Sequence, residues 1–235
     1  SKPLPSISDF CFDQQVVEVF PDMINRSVPG YSSILQTLPQ IVSRYVQPNS
    51  HLYDLGCSLG AATLAMRKGC EQTENCKIIG IDNSQPMIER AQLHLDGFKS
   101  QIPVELHCQD LADTEIKNAS VVVLNFTLQF ISQDKRDAVI QNIFNGMNEG
   151  AALLVAEKVR HSDESMNDLL IELHHNFKRA NGYSELEISQ KRAAIENVMK
   201  VDTLQAHQQR FQKAGFQHSS VWFQCFNFAA MLAVK

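Results

Sequence analysis

Residues 53–67 read YDLGCSLGAATLAMR. A short apolar stretch holding Asp54 runs into a turn with Gly56 and Gly60, and residues 61–69, AATLAMRKG, then read as a helix. Strand, glycine turn and helix in this order form the kind of loop that cradles a nucleotide. Glycine tolerates positive φ and lets backbone approach a ligand closely. The middle position, where such loops place another glycine, holds Ser58, which lacks that tolerance and adds a hydroxyl. Which ligand the loop holds, and whether the rest of the chain uses it in the ordinary way, are the questions the remaining residues must answer.

Outward from the loop, short β-branched runs alternate with helical patterns. HLYDL (51–55), KIIGID (77–82), VELHC (104–108), SVVVLNF (120–126) and AALLVAE (151–157) read as strands, the fourth so continuously apolar that it belongs in a buried parallel sheet. SQPMIERAQLHL (84–95) is a helix with Met87, Ile88, Ala91 and Leu95 on one face. Ser132 offers an N-cap to a helix whose stripe is Ile140, Ile143, Phe144 and Met147. Between 163 and about 200 no strand signal occurs. Met166, Leu169, Leu170, Leu173, His174 and Phe177 mark a long amphipathic helix, and Ser184–Glu187 has capping-box spacing for another. LQAHQQRFQKAGF (204–216) is a helix stopped by Gly215, and residues 219–235 form two strands about a turn near Asn227. Before the sheet, residues 13–46 are mostly helical, with breaks expected at Pro21 and Pro29, and are placed to lie across its open end.

This order predicts one α/β domain over residues 1–235. It is a doubly wound, Rossmann-like seven-stranded sheet with an antiparallel last strand, an N-terminal helical lid over about 12–48 and a helical insertion over about 160–203.

Composition narrows the function. The 235 residues are 44% apolar and carry a net charge of −5. The most basic stretch, Lys178, Arg179, Lys191 and Arg192, is interrupted by Glu185 and Glu187, which argues against direct nucleic-acid binding and for a small-molecule substrate. No apolar run approaches the roughly 20 residues of a membrane span, and no signal pattern opens the chain, so a cytoplasmic location is expected. The six cysteines, Cys11, Cys57, Cys70, Cys76, Cys108 and Cys225, lack zinc-site spacing and are expected to be buried thiols; no metal is expected.

In a doubly wound sheet the ligand lies beyond the carboxyl ends of the strands, where strand order reverses. Asp82 ends the second strand, where a carboxylate accepts hydrogen bonds from ribose hydroxyls. Asp110 follows the third strand, within reach of an adenine amino group, and Asn125 ends the fourth, near the amino-acid portion of a ligand laid across the sheet. Any one of these alone reads as a loop or cap residue; with the loop from Asp54 to Gly60 at the end of the first strand, polar positions at four successive strand ends do not. A dinucleotide loop would read G-x-G-x-x-G, whereas this one reads G-C-S-L-G. Residue 125 opens Asn-Phe-Thr-Leu, lacking the N/D-P-P-Y/F motif of enzymes that methylate an adenine amino group.

Gly56, Ser58 and Gly60 resemble the D-x-G-x-G-x-G loop of class I S-adenosylmethionine-dependent methyltransferases, and KAGF with the antiparallel last strand does too. Longer segments, EVFPDMINRSVPGYSSI, YDLGCSLGAATL, IDNSQPMIERA, VVLNFTLQF, FKRANGYSELEISQKR and VWFQCFNF, resemble the carboxy-S-adenosylmethionine synthases from about Phe12 to the C-terminus.

That resemblance implies a reaction other than methyl transfer. S-adenosylmethionine and prephenate give carboxy-S-adenosylmethionine and phenylpyruvate. Hydroxide leaving prephenate deprotonates the sulfonium methyl, and the carbanion captures the carbon dioxide released. No side-chain nucleophile is required; the protein holds the ligands and excludes water. A partner enzyme then uses the product to carboxymethylate a wobble uridine in tRNA, and the family is expected to be homodimeric.

The resemblance also implies the site. Gly56, Cys57 and Ser58 line the methionine side, Asp82 and Asn83 bind ribose, Asp110 and Leu111 border adenine, and Asn125 sits by the amino-acid end. Tyr31 touches the ligand, though by its residue type alone a packed lid tyrosine is as good a reading. Arg192 takes the new carboxylate as a bidentate, permanently charged partner. Arg179 is a weaker candidate for prephenate; by composition alone either arginine is a solvated helix charge. His174 is read as a satisfied core histidine, and Trp222 as core or dimer surface. The alternatives are a small-molecule methyltransferase with the same pocket and a non-catalytic adenosyl-binding subunit.

Overall fold

The computed structural model describes residues 14–189 and 199–235. Arg192, Lys191 and Cys11 lie outside the described residues. The sheet is built from β1 (His51–Leu55), β2 (Lys77–Asp82), β3 (Val104–Cys108), β4 (Ala119–Asn125), β5 (Met147–Arg160), β6 (Asp202–Thr203), β7 (His218–Cys225) and β8 (Phe228–Val234). Seven of these run in the order β3-β2-β1-β4-β5-β8-β7, and the two-residue β6 pairs with the far end of β5. β1 to β5 are parallel, while β8 is antiparallel to β5 and β7 to β8.

The helices are α1 (Gln14–Ser27), α2 (Tyr31–Tyr45), α3 (Ala61–Gly69), α4 (Gln85–Asp96), α5 (Gln133–Gly146), α6 (Glu164–Ala180) and α7 (Leu204–Ala214). Two layers cover the sheet because successive strand residues point to opposite faces. Tyr53, Leu55, Val122, Leu124, Leu153 and Val155 pack with α5 and α7 residues such as Ile140 and Phe211. Leu52, Ile78, Val121, Val123 and Leu154 pack with Leu38 and Val42 of α2 and Met66 of α3.

β5 is longer than its apolar run, 14 residues against the expected 151–157, and it begins at Met147, which the sequence reading put on the preceding helix. Ser84 caps α4 through Met87 N. Ser132 stands at the start of α5 without a side-chain cap bond. Ser184 and Glu187 form the reciprocal capping box: Ser184 N donates to Glu187 Oε2 at 2.8 Å, and Glu187 N to Ser184 Oγ at 3.3 Å. Gly215 ends α7 at φ +111, and the β7–β8 turn uses Phe226 at φ +50 and Asn227.

Three expectations are corrected. Pro21 lies inside α1 rather than breaking it, and the break falls at residues 28–30. Gly30 supplies that corner: its φ is +80, and a Cβ there would lie 2.3 Å from Phe223 Cζ. The buried face of α6 is also rotated from its apolar stripe. His174 and Lys178 are buried while Met166 and Leu169 are each 45% exposed, because the inward side of the helix forms part of a cavity wall rather than packing on a closed core. Finally, the thiols are not uniformly buried. Cys57, Cys70 and Cys76 are, Cys225 is half-buried, and Cys108 is exposed on the edge strand β3. Among the described residues no helix is long and apolar enough to cross a membrane.

Candidate active site

Strand order reverses between β1 and β4, and the turn after β1 occupies that gap. Gly56, Ser58 and Gly60 all have positive φ, at +79, +49 and +82. The loop is fastened to β2 by Gly56 N and Cys57 N, which both donate to Ile81 O at 2.7 and 2.9 Å, and it closes with Gly60 N to Cys57 O at 2.8 Å. Ser58 therefore keeps the left-handed conformation of the glycine it stands for, at a cost of about 1 kcal/mol. Its hydroxyl faces Met87 Sδ at 3.6 Å. Gly56 is required for a second reason: a Cβ there would lie 2.3 Å from Thr127 Oγ1. Thr127 follows β4, so the bare α-carbon lets the two loops meet.

Asp82 is held by backbone. Ser58 N donates to Oδ2 and Ser84 N to Oδ1, each at 2.9 Å. Burial raises its pKa and these bonds oppose the rise. One further acceptor site on each oxygen suits a vicinal diol. Asp54, fully buried below the loop, accepts from Thr63 Oγ1 at 2.6 Å, and its Oδ1 has no hydrogen-bond partner among the described residues; burial pushes it up to about 7. Asp110 caps the short turn Leu111–Asp113 through Oδ1, which accepts from Ala112 N at 2.9 Å.

Beside the loop lies a cavity of about 640 Å³, within the range of small-molecule sites. Gly56, Ser58, Asp82, Asn83, Asp110, Leu111 and Asn125 all reach it. Tyr31 and Cys57 instead line a smaller compartment that shares Gly56, Ser58 and Asn125 with the first. Both are buried, and burial holds the Tyr31 hydroxyl up at about 12 and raises the Cys57 thiol. Arg179 lines neither compartment. It pairs with Glu185 on the surface, Nη2 to Oε2 at 3.0 Å, and donates to Asn176 Oδ1 at 2.7 Å, one helix position past the residue that faces inward.

The lid is α1, whose Phe20, Met23, Ile24 and Ser27 form one wall. The insertion clasps its end: His174 Nε2 bonds Ser27 O at 2.7 Å, Arg26 Nε donates to Asn181 O at 2.8 Å, and Arg26 lies 4.6 Å over the Tyr183 ring. Burial, then Lys178 and Lys158, lower His174 to about 3, so the ring is neutral. It is a satisfied structural histidine that also faces the cavity, as does His175.

Sequence reasoning passed over Phe126, Thr127, Gln129, Lys158 and Lys178, all in the cavity wall. Phe126 carries φ +59, unusual for an aromatic residue, and this turn aims Thr127 at Gly56. Lys158 had a usable signal, since it directly follows the apolar run of the fifth strand.

A reversing parallel sheet with an antiparallel β8, a glycine loop at the reversal and a backbone-held carboxylate at the end of β2 define the class I S-adenosylmethionine-dependent methyltransferase fold. A family profile described as a methyltransferase domain matches residues 52–150. The human N-acetylserotonin methyltransferase, solved with S-adenosylmethionine, superposes with a TM-score of 0.61 over 94% of this chain and 55% of its own, at 17% identity, a likeness of fold. Carboxy-S-adenosyl-L-methionine synthase of Idiomarina loihiensis is 97% identical over 100% of this chain and 97% of its own. The synthase of Aeromonas salmonicida is 61% identical over 99% and 94%. The chain belongs to the carboxy-S-adenosyl-L-methionine synthase family, and it is an enzyme, a transferase.

Proposed function

We propose that the chain converts S-adenosylmethionine and prephenate to carboxy-S-adenosylmethionine and phenylpyruvate. The observation that carries this reading is near-identity along the whole chain to the Idiomarina synthase. The donor set suits the adenosyl ligand: glycine backbone at Gly56, a carboxylate with open acceptor sites at Asp82, and Asp110 and Leu111 flanking the place for adenine. Asn83 joins Asp82 at the ribose, Asn125 takes the amino-acid end, and Tyr31, Cys57 and Ser58 close the methionine side. Arg192 binds the carboxylate that distinguishes the product.

Prephenate supplies the carbon dioxide, and its departing hydroxide leaves as water with a methyl proton, so the protein contributes position and exclusion of bulk water. The product goes to a partner enzyme that carboxymethylates a wobble uridine of tRNA. The enzyme acts in the cytoplasm as a homodimer and needs no metal. Incubation with both substrates, followed by mass spectrometry, tests the reading. A cofactor product heavier by one carbon dioxide, formed with equal phenylpyruvate, is expected; methylated acceptor, or no phenylpyruvate, refutes it.

A further inference from the structure

Charge is segregated along the carboxyl edge of the sheet. In spatial order the edge presents Asp110 after β3, Asp82 at β2, the glycine loop at β1, Asn125 at β4 and Lys158 in β5. Strands lie about 4.8 Å apart, so Asp82 and Lys158 are separated by about 14 Å of sheet edge. An adenosyl ligand held over β2 and β3 brings its sulfur toward β1 and β4. The β5 end of the same cavity is left for the second reactant.

That end has its own chemistry. Lys178 of α6 is buried and Lys158 half-buried, and both line the cavity. Lys158 is paired in register with Phe228, and its Nζ lies 6.0 Å over that ring. The His174 ring stands 4.7 Å from the same phenylalanine, edge to face. Phe126 packs against Phe228 at 6.2 Å, and Ile171 and Phe130 complete the apolar surround. Neighbouring Glu157 is buried and felt by Arg136 and Asp202, on the opposite face of the strand from Lys158. An ammonium group over an aromatic floor, with a second lysine in the same cavity wall, suits an organic acid that carries a carboxylate beside a six-membered ring.

We propose that Lys158 and Lys178 anchor a carboxylate of the organic-acid substrate, with Phe126 and Phe228 beneath its ring. This rests on the two-substrate reaction proposed above. The assignment makes these lysines specificity residues for the second substrate and leaves the adenosyl ligand to the β1–β3 end.

The test is steady-state kinetics of Lys158→Met, Lys178→Met and the charge-keeping Lys158→Arg, with S-adenosylmethionine affinity measured by calorimetry on each. Loss of a charged hydrogen bond raises the KM for prephenate about tenfold or more in the two methionine variants. S-adenosylmethionine affinity stays within about twofold of wild type, and Lys158→Arg recovers most of the loss. Unchanged KM, or an equal loss of affinity for both substrates, overturns the assignment. Should Lys178→Met fail to fold, Lys158→Met and its arginine partner decide the matter. Wild-type enzyme that yields no phenylpyruvate overturns the proposed reaction and this assignment with it; active wild type with unaffected lysine variants overturns the assignment alone.

Discussion

Replacing Arg136 by methionine tests how the floor of the site is held. Arg136 is wholly buried in α5, yet its guanidinium is satisfied. Nη1 donates to Asp202 Oδ2 at 2.7 Å, Nη2 to Lys200 O at 2.7 Å and Gln129 O at 3.1 Å, and Nε to Ile131 O at 2.9 Å. Gln129 in turn lines the cavity, accepts Lys158 N at 2.9 Å and donates its own N–H to Glu157 Oε2 at 3.1 Å. One side chain therefore ties the turn after β4 to residues 200–202, where the chain returns from the insertion. Breaking a buried charge pair costs about 3–5 kcal/mol. Asp202 keeps Arg210 at 2.9 Å and Gln133 at 2.8 Å, which places Arg136→Met near the lower end. A loss of about 3 kcal/mol lowers Tm by roughly 6–12 °C in a chain of this size. Urea and thermal unfolding followed by circular dichroism measure it, with Glu185→Gln at the exposed, solvent-screened Arg179 pair as the comparison. If Arg136→Met costs no more than that surface change, the buried lattice is not what holds the floor.

Gly56→Ala combines left-handed strain with overlap on Thr127 and should destabilise by about 3 kcal/mol while abolishing cofactor binding; Gly56→Ala/Thr127→Ala should regain part of the stability, and no regain would implicate backbone strain alone. Asp82→Asn keeps the shape but loses acceptor capacity, so calorimetry should show S-adenosylmethionine affinity down about tenfold or more, with unchanged affinity contradicting the ribose role. Arg192→Ala should lose its preference for the carboxylated ligand while still binding S-adenosylmethionine, and equal losses in a titration of both would refute that role. Burial, with nearby cations, lowers His174 to about 3 and His207 to about 4, so the unfolded chain takes up protons first. Stability is full above pH 6.5 and falls as pH drops toward those values, by about 2 kcal/mol per histidine at pH 5. His174→Gln should flatten its share of that acid limb in unfolding titrations, and an unaltered slope would show that the ring is protonated in the native state.

Periodicity alone determined the layered fold, because parallel strands buried on both faces must be continuously apolar and their crossovers must be amphipathic. The glycine loop, Asp82, Asp110 and Asn125 were legible for the same reason: a doubly wound sheet allots the ligand to its strand ends, so position along the chain implies position in the site. Lys158 and Lys178 were not legible, nor was the burial of Arg136, since a cation in a helix or strand looks alike whether it faces solvent, a cavity or a buried aspartate. Which it faces is settled by how α6 rotates over the lid and where β8 returns beside β5, contacts between residues far apart in sequence that no local pattern encodes. Pro21 and Ser58 went the same way, since tertiary packing held each in a conformation that its own side chain disfavours.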